Sequence, residues 1–213
     1  MTYEMLTPGL VLVPFGTAVL LVCLSRWAVL RRTIALAALV VQVMSITIIY
    51  FSSSAPAAFE AAWLPALGSQ IYLSVDGINA QGLLMLAAVL VAAVIAEIHL
   101  PKKRSSTAAL ALIFVVAATL NLLLLSRDIL LAAAAHGTAA LALAALLGIG
   151  TDLAGQSAAR RFANHAVVGT ILLSAAAAIL AASGGTTLID DMSRIDPEST
   201  RLVALLLMAA VAL

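Results

Sequence analysis

Charge is what this chain has least of: Asp, Glu, Lys and Arg make up 10% of it, well below the roughly 25% of ordinary soluble domains. So few charges cannot cover a water-exposed surface of normal composition, which excludes a conventional soluble domain. Cysteine is nearly absent too. Lone Cys23, inside the first apolar run, permits neither an intrachain disulfide nor a thiolate metal cluster and reads as a small membrane-buried side chain. There is no glycine-rich phosphate loop, no Cys or His spacing suited to zinc, haem or an iron–sulfur cluster, and no Ser–His–acid arrangement. The chain is therefore expected to hold no metal and no cofactor, and to have no catalytic residue of its own. A net charge of +1 points to no nucleic-acid partner. No Lys or Arg precedes the first apolar run, so the N-terminus does not read as a cleaved signal.

What is present is hydrophobic: 64% of the residues are apolar and the mean hydropathy is +1.16. Several runs reach the ~18 residues that cross a ~30 Å hydrocarbon core as a helix. Backbone polar groups in lipid must be satisfied inside their own segment, so these runs are helices. An all-α polytopic membrane protein follows, a single transmembrane domain over 1–213. Six full spans are expected at about 6–25, 34–51, 80–100, 106–125, 129–149 and 163–182, with an incomplete seventh at 202–213. A helix rises ~1.5 Å per residue, so 201–213 reaches only ~20 Å. The expectation is that the chain continues past Leu213 or that a partner covers the unfinished end.

Loop charges set an orientation. Arg26, Arg31, Arg32, Lys102, Lys103, Arg104, Arg160 and Arg161, eight of the eleven basic residues, fall on one side of this span arrangement. The other side has Arg127, Arg194 and Arg201 together with Glu4, Glu60, Asp76, Asp128, Asp190, Asp191, Asp196 and Glu198. The positive-inside rule puts the first set in the cytoplasm and the N-terminus outside. The outside loops, about 52–79 and 183–201, are long enough for short interfacial elements. Trp63 and Tyr72 have rings suited to the headgroup region, and Gly184-Gly185 reads as a turn.

The stretch WLPALGSQIYLSVDGINAQGLLM at 63–85 is the most distinctive in the chain. Trp63-x-Pro65, then Leu67-Gly68, a short amphipathic strand-like piece, and Val75-Asp76-Gly77-Ile78-Asn79 leading into a Leu-rich span resemble the antiporter-like subunits of respiratory complex I, the M-type chain most. In that family the last word ends in Ser, where this chain has Asn79. Physically, Asp76 or Asn79 can cap the first N–H groups of the third helix, and Gly77 can take a turn conformation. Ser126-Arg127-Asp128-Ile129-Leu130-Leu131 resembles the S-x-D-L-L-L start of the family's fifth helix. Arg161-Phe162 followed by Gly169-Thr170 resembles its K-F-F…A-G-S pattern in the sixth, and Pro14 and Gly16 loosely fit its first span. Together with span order and loop lengths, the resemblance covers almost the whole chain.

The resemblance implies the N-terminal part of the antiporter-like fold in a multi-pass protein of the bacterial inner membrane. It implies sister membrane subunits as partners and a role in moving protons within an NADH:quinone oxidoreductase or a relative, such as a membrane-bound hydrogenase or a multi-subunit cation/proton antiporter. Other subunits would then hold any redox cofactors. It also implies a buried glutamate nine residues after Asp128, where this chain has Gly137, and an essential lysine in a seventh helix that lies beyond Leu213. Glycine cannot change charge, so a non-pumping scaffold is a second expectation. A third is a small independent transporter acting with a partner or a second copy.

Four residues remain as proton-path candidates. His136 stands about 12 Å along its helix from Asp128, where it can relay protons or simply hydrogen-bond across a helix interface. Glu97, with His99, is expected near Pro101 and the Lys-Lys-Arg cluster, where it can pair with Lys102 or a basic residue of a neighbouring loop or snorkel at the interface. Arg161 stays protonated and can bias a neighbour without relaying a proton itself. His165, beside Asn164, would mark the mouth of a water path. Gln42 and Asn121 are single polar groups in mid-span, expected to hydrogen-bond between helices. The alanine-rich stretches of spans five and six are expected to be buried among other helices, sister subunits included, rather than to face lipid on all sides.

Overall fold

The computed structural model describes residues 6–52, 57–99, 107–149, 151–194 and 196–212. Glu4, Pro101, Lys102, Lys103, Arg104 and Leu213 lie outside the described residues. Seven α-helices and one hairpin make up the rest: α1 (Leu6–Cys23), α2 (Ala28–Ser52), β1 (Ala57–Leu64), β2 (Ser69–Val75), α3 (Gly77–His99), α4 (Thr107–Leu125), α5 (Ile129–Gly148), α6 (Leu153–Gly184) and α7 (Pro197–Ala212). The first six helices are long and apolar enough to cross a membrane. With 16 residues, α7 extends about 24 Å at the usual helical rise, short of a full crossing.

The bundle is centred on α4, which packs against α1, α3 and α5. Its most apolar window is 61% buried, against 22–39% for the other five candidate spans. The alanine-rich stretches do bring α5 and α6 together, but α6 leaves Val167, Val168 and Ile171 exposed. Within this chain the most buried helix is α4. Cys23 lies on the outer surface of the bundle.

Two helices start earlier than hydropathy indicates. Ala28 opens α2 ahead of Arg31 and Arg32. Leu153 opens α6 ten residues before the expected span, with Arg160 and Arg161 inside the helix instead of in a loop. Hydropathy reports where a helix meets lipid, not where it begins. The real start of α6 is Asp152, whose Oδ1 accepts from the Gly155 N–H at 2.9 Å, a standard N-cap.

The helical fold expected is the one observed, and the strand-like piece expected after Gly68 is β2 of a short hairpin over residues 57–75, where β1 and β2 pair antiparallel with Phe59 opposite Leu73 and Glu60 opposite Tyr72. Alternation puts Phe59, Trp63, Ile71, Leu73 and Val75 on one face. That face closes over Leu10 of α1, Ile46 and Ile49 of α2, Leu83 of α3 and Leu125 of α4. The hairpin is therefore a lid over one end of the bundle. Pro65 starts its 3₁₀ turn, and Gly68 ends it in the left-handed region at φ +64°. A Cβ on Gly68 would lie 2.0 Å from the Gly185 carbonyl oxygen, so only glycine fits. Gly185, at φ +67°, closes α6 in the same way. Gly77 takes no left-handed conformation and is the first residue of α3, which corrects its expected turn role.

Candidate functional site

Two polar constellations stand out, one at the hairpin end and one inside the α5–α6 interface. The first is built on Asp128. This side chain is fully buried, and its partners come from three segments of the chain. It caps α5 by accepting from the Leu131 N–H at 2.9 Å, and it accepts from the Gln70 N–H of β2 at 3.0 Å and the Thr187 hydroxyl after α6 at 2.5 Å. One carboxylate thus ties together the hairpin, α5 and the α6–α7 connection. Backbone bonds reinforce the tie: Arg127 N–H to Tyr72 O at 2.9 Å, Ile129 N–H to Thr187 O at 3.0 Å, and Ile189 N–H to Arg127 O at 2.9 Å.

Beside it, Asp76 and Asn79 form a reciprocal cap. Asp76 Oδ1 accepts from the Ile78 and Asn79 N–H groups at 2.9 and 2.8 Å, while Asn79 Oδ1 accepts from the Asp76 N–H at 2.7 Å. The Arg127 guanidinium pairs with Asp76 Oδ2 and donates through Nε to Ser74 Oγ at 2.8 Å. The Asn79 N–H bond, joined by Ile78 N–H and the Arg127 charge, holds the Asp76 carboxyl below its ordinary range, against a smaller opposing effect of burial. Asp76 and Asp128 fasten the lid, through Arg127 and through Gln70 and Thr187, while Trp63 packs on its apolar face and Pro65 starts its turn at the end away from Asp76.

The second constellation is the one with proton-carrying chemistry. His136 of α5 faces Thr170 of α6, with Nδ1 3.0 Å from Oγ1. The Thr170 hydroxyl has a single proton and donates it to Ala166 O at 2.8 Å. With its proton there, Oγ1 accepts from the ring in the Nδ1–H tautomer. Glycines shape the interface around it. A Cβ on Gly169 would come within 3.2 Å of the imidazole Cε1 and 3.5 Å of Ala210 O in α7, so His136 stands where α5, α6 and α7 meet. Gly137 leaves open a cavity of about 140 Å³ lined by Ala140, Leu141, Ala166 and Thr170 among others. A Cβ on Gly137 would meet Thr170 Cγ2 at 3.0 Å.

The remaining candidates do not join His136. Arg161 and His165 are exposed on α6, and His165 Nδ1 turns back to the Arg161 carbonyl at 2.7 Å. Glu97 is only 8% exposed near the far end of α3. Its neighbours Val94 and Ile98 pack into the α1–α4 core, which corrects the expectation that it snorkels outward. His99 is exposed, with Nδ1 2.8 Å from its own helix at Ile95 O. Sequence reasoning missed Thr170 and Thr187 as partners. Spacing gives no signal for either, because each meets its partner across more than thirty residues of chain.

No family model matches the sequence, and no curated protein matches it. Solved structures do. A chain of the Mrp complex from Dietzia sp. DQ12-45-1b superimposes with a TM-score of 0.76 at 22% identity, covering 99% of this chain and 23% of that one. A chain of respiratory complex I from Thermus thermophilus, with bound aureothin, superimposes with a TM-score of 0.75 at 17% identity, covering 95% and 43%. The chain shares the fold of both. The chain spans about a quarter of the first relative and less than half of the second.

Proposed function

We propose that this chain is an antiporter-like membrane subunit, or part of one, in a multi-subunit ion-translocating assembly of the complex I and Mrp kind. Sister membrane subunits would cover its exposed apolar flanks. One observation supports this reading above the others: nearly the whole chain, hairpin lid included, superimposes on chains of both assemblies. In this reading His136, bridged by Thr170 and backed by α7, is the proton-exchanging group of the α5–α6 interface, standing next to the position where the resemblance implies an acid and this chain has Gly137. An imidazole can both take up and release a proton, which is the chemistry this role needs. Orientation follows the charge pattern, with the hairpin end outside the cytoplasm of a bacterial inner membrane.

The scaffold reading has its own supporting observation. Nδ1 is already engaged across the helix interface, and Gly137 offers no acid. The electron donor separates the complex I reading from the antiporter reading. Inverted vesicles from cells with and without this chain are compared for NADH-driven quinone reduction and for sodium- or potassium-driven proton release. Loss of the first alone assigns the oxidoreductase, and loss of the second alone the antiporter. Loss of neither, with the sister subunits still assembled, removes both.

A further inference from the structure

A third polar cluster lies inside the bundle, beneath the hairpin and away from His136. Pro14 stands four residues after Leu10 in α1, so the Leu10 carbonyl receives no helical N–H. Two other helices supply donors instead. Asn121 Nδ2 of α4 is 2.7 Å from that oxygen and Gln42 Nε2 of α2 is 3.3 Å from it. A carbonyl oxygen only accepts, so both amides must present their NH₂ groups to it, which leaves both amide oxygens aimed elsewhere. Those oxygens, Asn121 Oδ1 and Gln42 Oε1, are buried and have no hydrogen-bond partner among the described residues. The same holds for Thr7 Oγ1, one turn before Leu10 on the same face of α1. Thr7, Gln42 and Asn121 are 0%, 2% and 1% exposed.

Two orphaned amide oxygens beside one carbonyl, and a third orphaned oxygen one turn along the same helix, need an explanation, since buried polar groups are almost always paired. We propose that Thr7, Gln42 and Asn121 form a binding site for a structural water molecule at the Pro14 break in α1. The valences match: one water donates to Asn121 Oδ1 and Gln42 Oε1 and accepts the Thr7 hydroxyl proton, within the two to four bonds typical of a buried water. A metal cation fits poorly. No Asp or Glu occurs in α1, α2 or α4, the Leu10 oxygen already accepts twice, and an ion without a counter-charge is costly to bury. The water completes the junction of three helices at a point where proline has removed a backbone bond, and the site is independent of the functional reading given above.

The test uses the full chain in its purified assembly, labelled with ¹⁵N at Asn and Gln side chains and placed in lipid nanodiscs. Water-to-amide magnetisation transfer is expected at the Asn121 and Gln42 NH₂ groups in the wild type and is lost in the near-isosteric Thr7→Val. No transfer in the wild type overturns the site, a measurement that needs no variant to fold. Transfer that is unchanged in Thr7→Val also overturns it. So does a signal that disappears when sodium and potassium are replaced by choline, which would mark a cation site instead.

Discussion

At the residue scale, the structure concentrates its polar chemistry in a few side chains, and two of them carry direct predictions. Asp128 supports three partners from three segments. A lost N-cap costs about 1 kcal/mol and a buried donor left unpaired about 1–3 kcal/mol. Asp128→Ala is therefore expected to lower stability by about 3 kcal/mol or more, measured as a fall in the melting temperature of the detergent-solubilised chain. An unchanged melting temperature would remove Asp128 as the fastening of the lid. Asp76 gives a pH dependence. Its folded-state pKa is depressed, so its contribution is fully present above the ordinary carboxylate range and is lost as pH falls through the depressed value. An acid titration of stability should show this loss in the wild type and a flatter limb in Asp76→Asn. Parallel limbs would contradict the assignment.

The capping role of Asp76 and Asn79 was legible in the sequence because caps are local: each donor lies within three residues; Asp128, placed at the start of its helix by resemblance, makes a cap of the same local kind. Their second partners were not. Arg127 reaches Asp76 across 51 positions and Thr187 reaches Asp128 across 59, distances that only the fold sets. His136 could be read as a candidate from its place in mid-span, yet its partner Thr170 could not. Gly77 was misread because V-D-G suggests a turn, while the left-handed positions fall at Gly68 and Gly185, where two segments touch.

At the element scale, hydropathy found the long helices but placed the starts of α2 and α6 too late, because arginines in the first turns of a helix look like loop. At 32 residues, α6 extends about 48 Å and must project past a ~30 Å hydrocarbon core. The hairpin is the element whose loss would matter most. Its turn touches Gly185 through Gly68, where φ is +64° and an added Cβ meets backbone at 2.0 Å. The left-handed conformation alone costs a non-glycine residue roughly 1–2 kcal/mol. Gly68→Ala should therefore increase proteolysis at the hairpin and at the α6–α7 connection together, since the two segments are stitched to each other. Cleavage confined to the hairpin would show that they are not coupled. Limited proteolysis with mass mapping reads the difference.

At the scale of the whole molecule, the fold puts Asp190 at the hairpin end and Arg161 at the opposite end of α6. Cysteines placed at these positions in a background lacking Cys23 should label from opposite sides of the membrane, and labelling from one side would break the topology. The larger claim is that this bundle moves protons through His136 as part of an assembly. Its most direct measurement is proton translocation by the assembly purified through this chain, reconstituted in liposomes and followed with a pH-sensitive dye, for the wild type and His136→Phe. With an aromatic ring kept in place, sister subunits should co-purify in equal amount while translocation falls by about tenfold or more, the range typical for loss of a proton-transfer group. Full translocation by an intact His136→Phe assembly, or recovery of the chain alone, would contradict it.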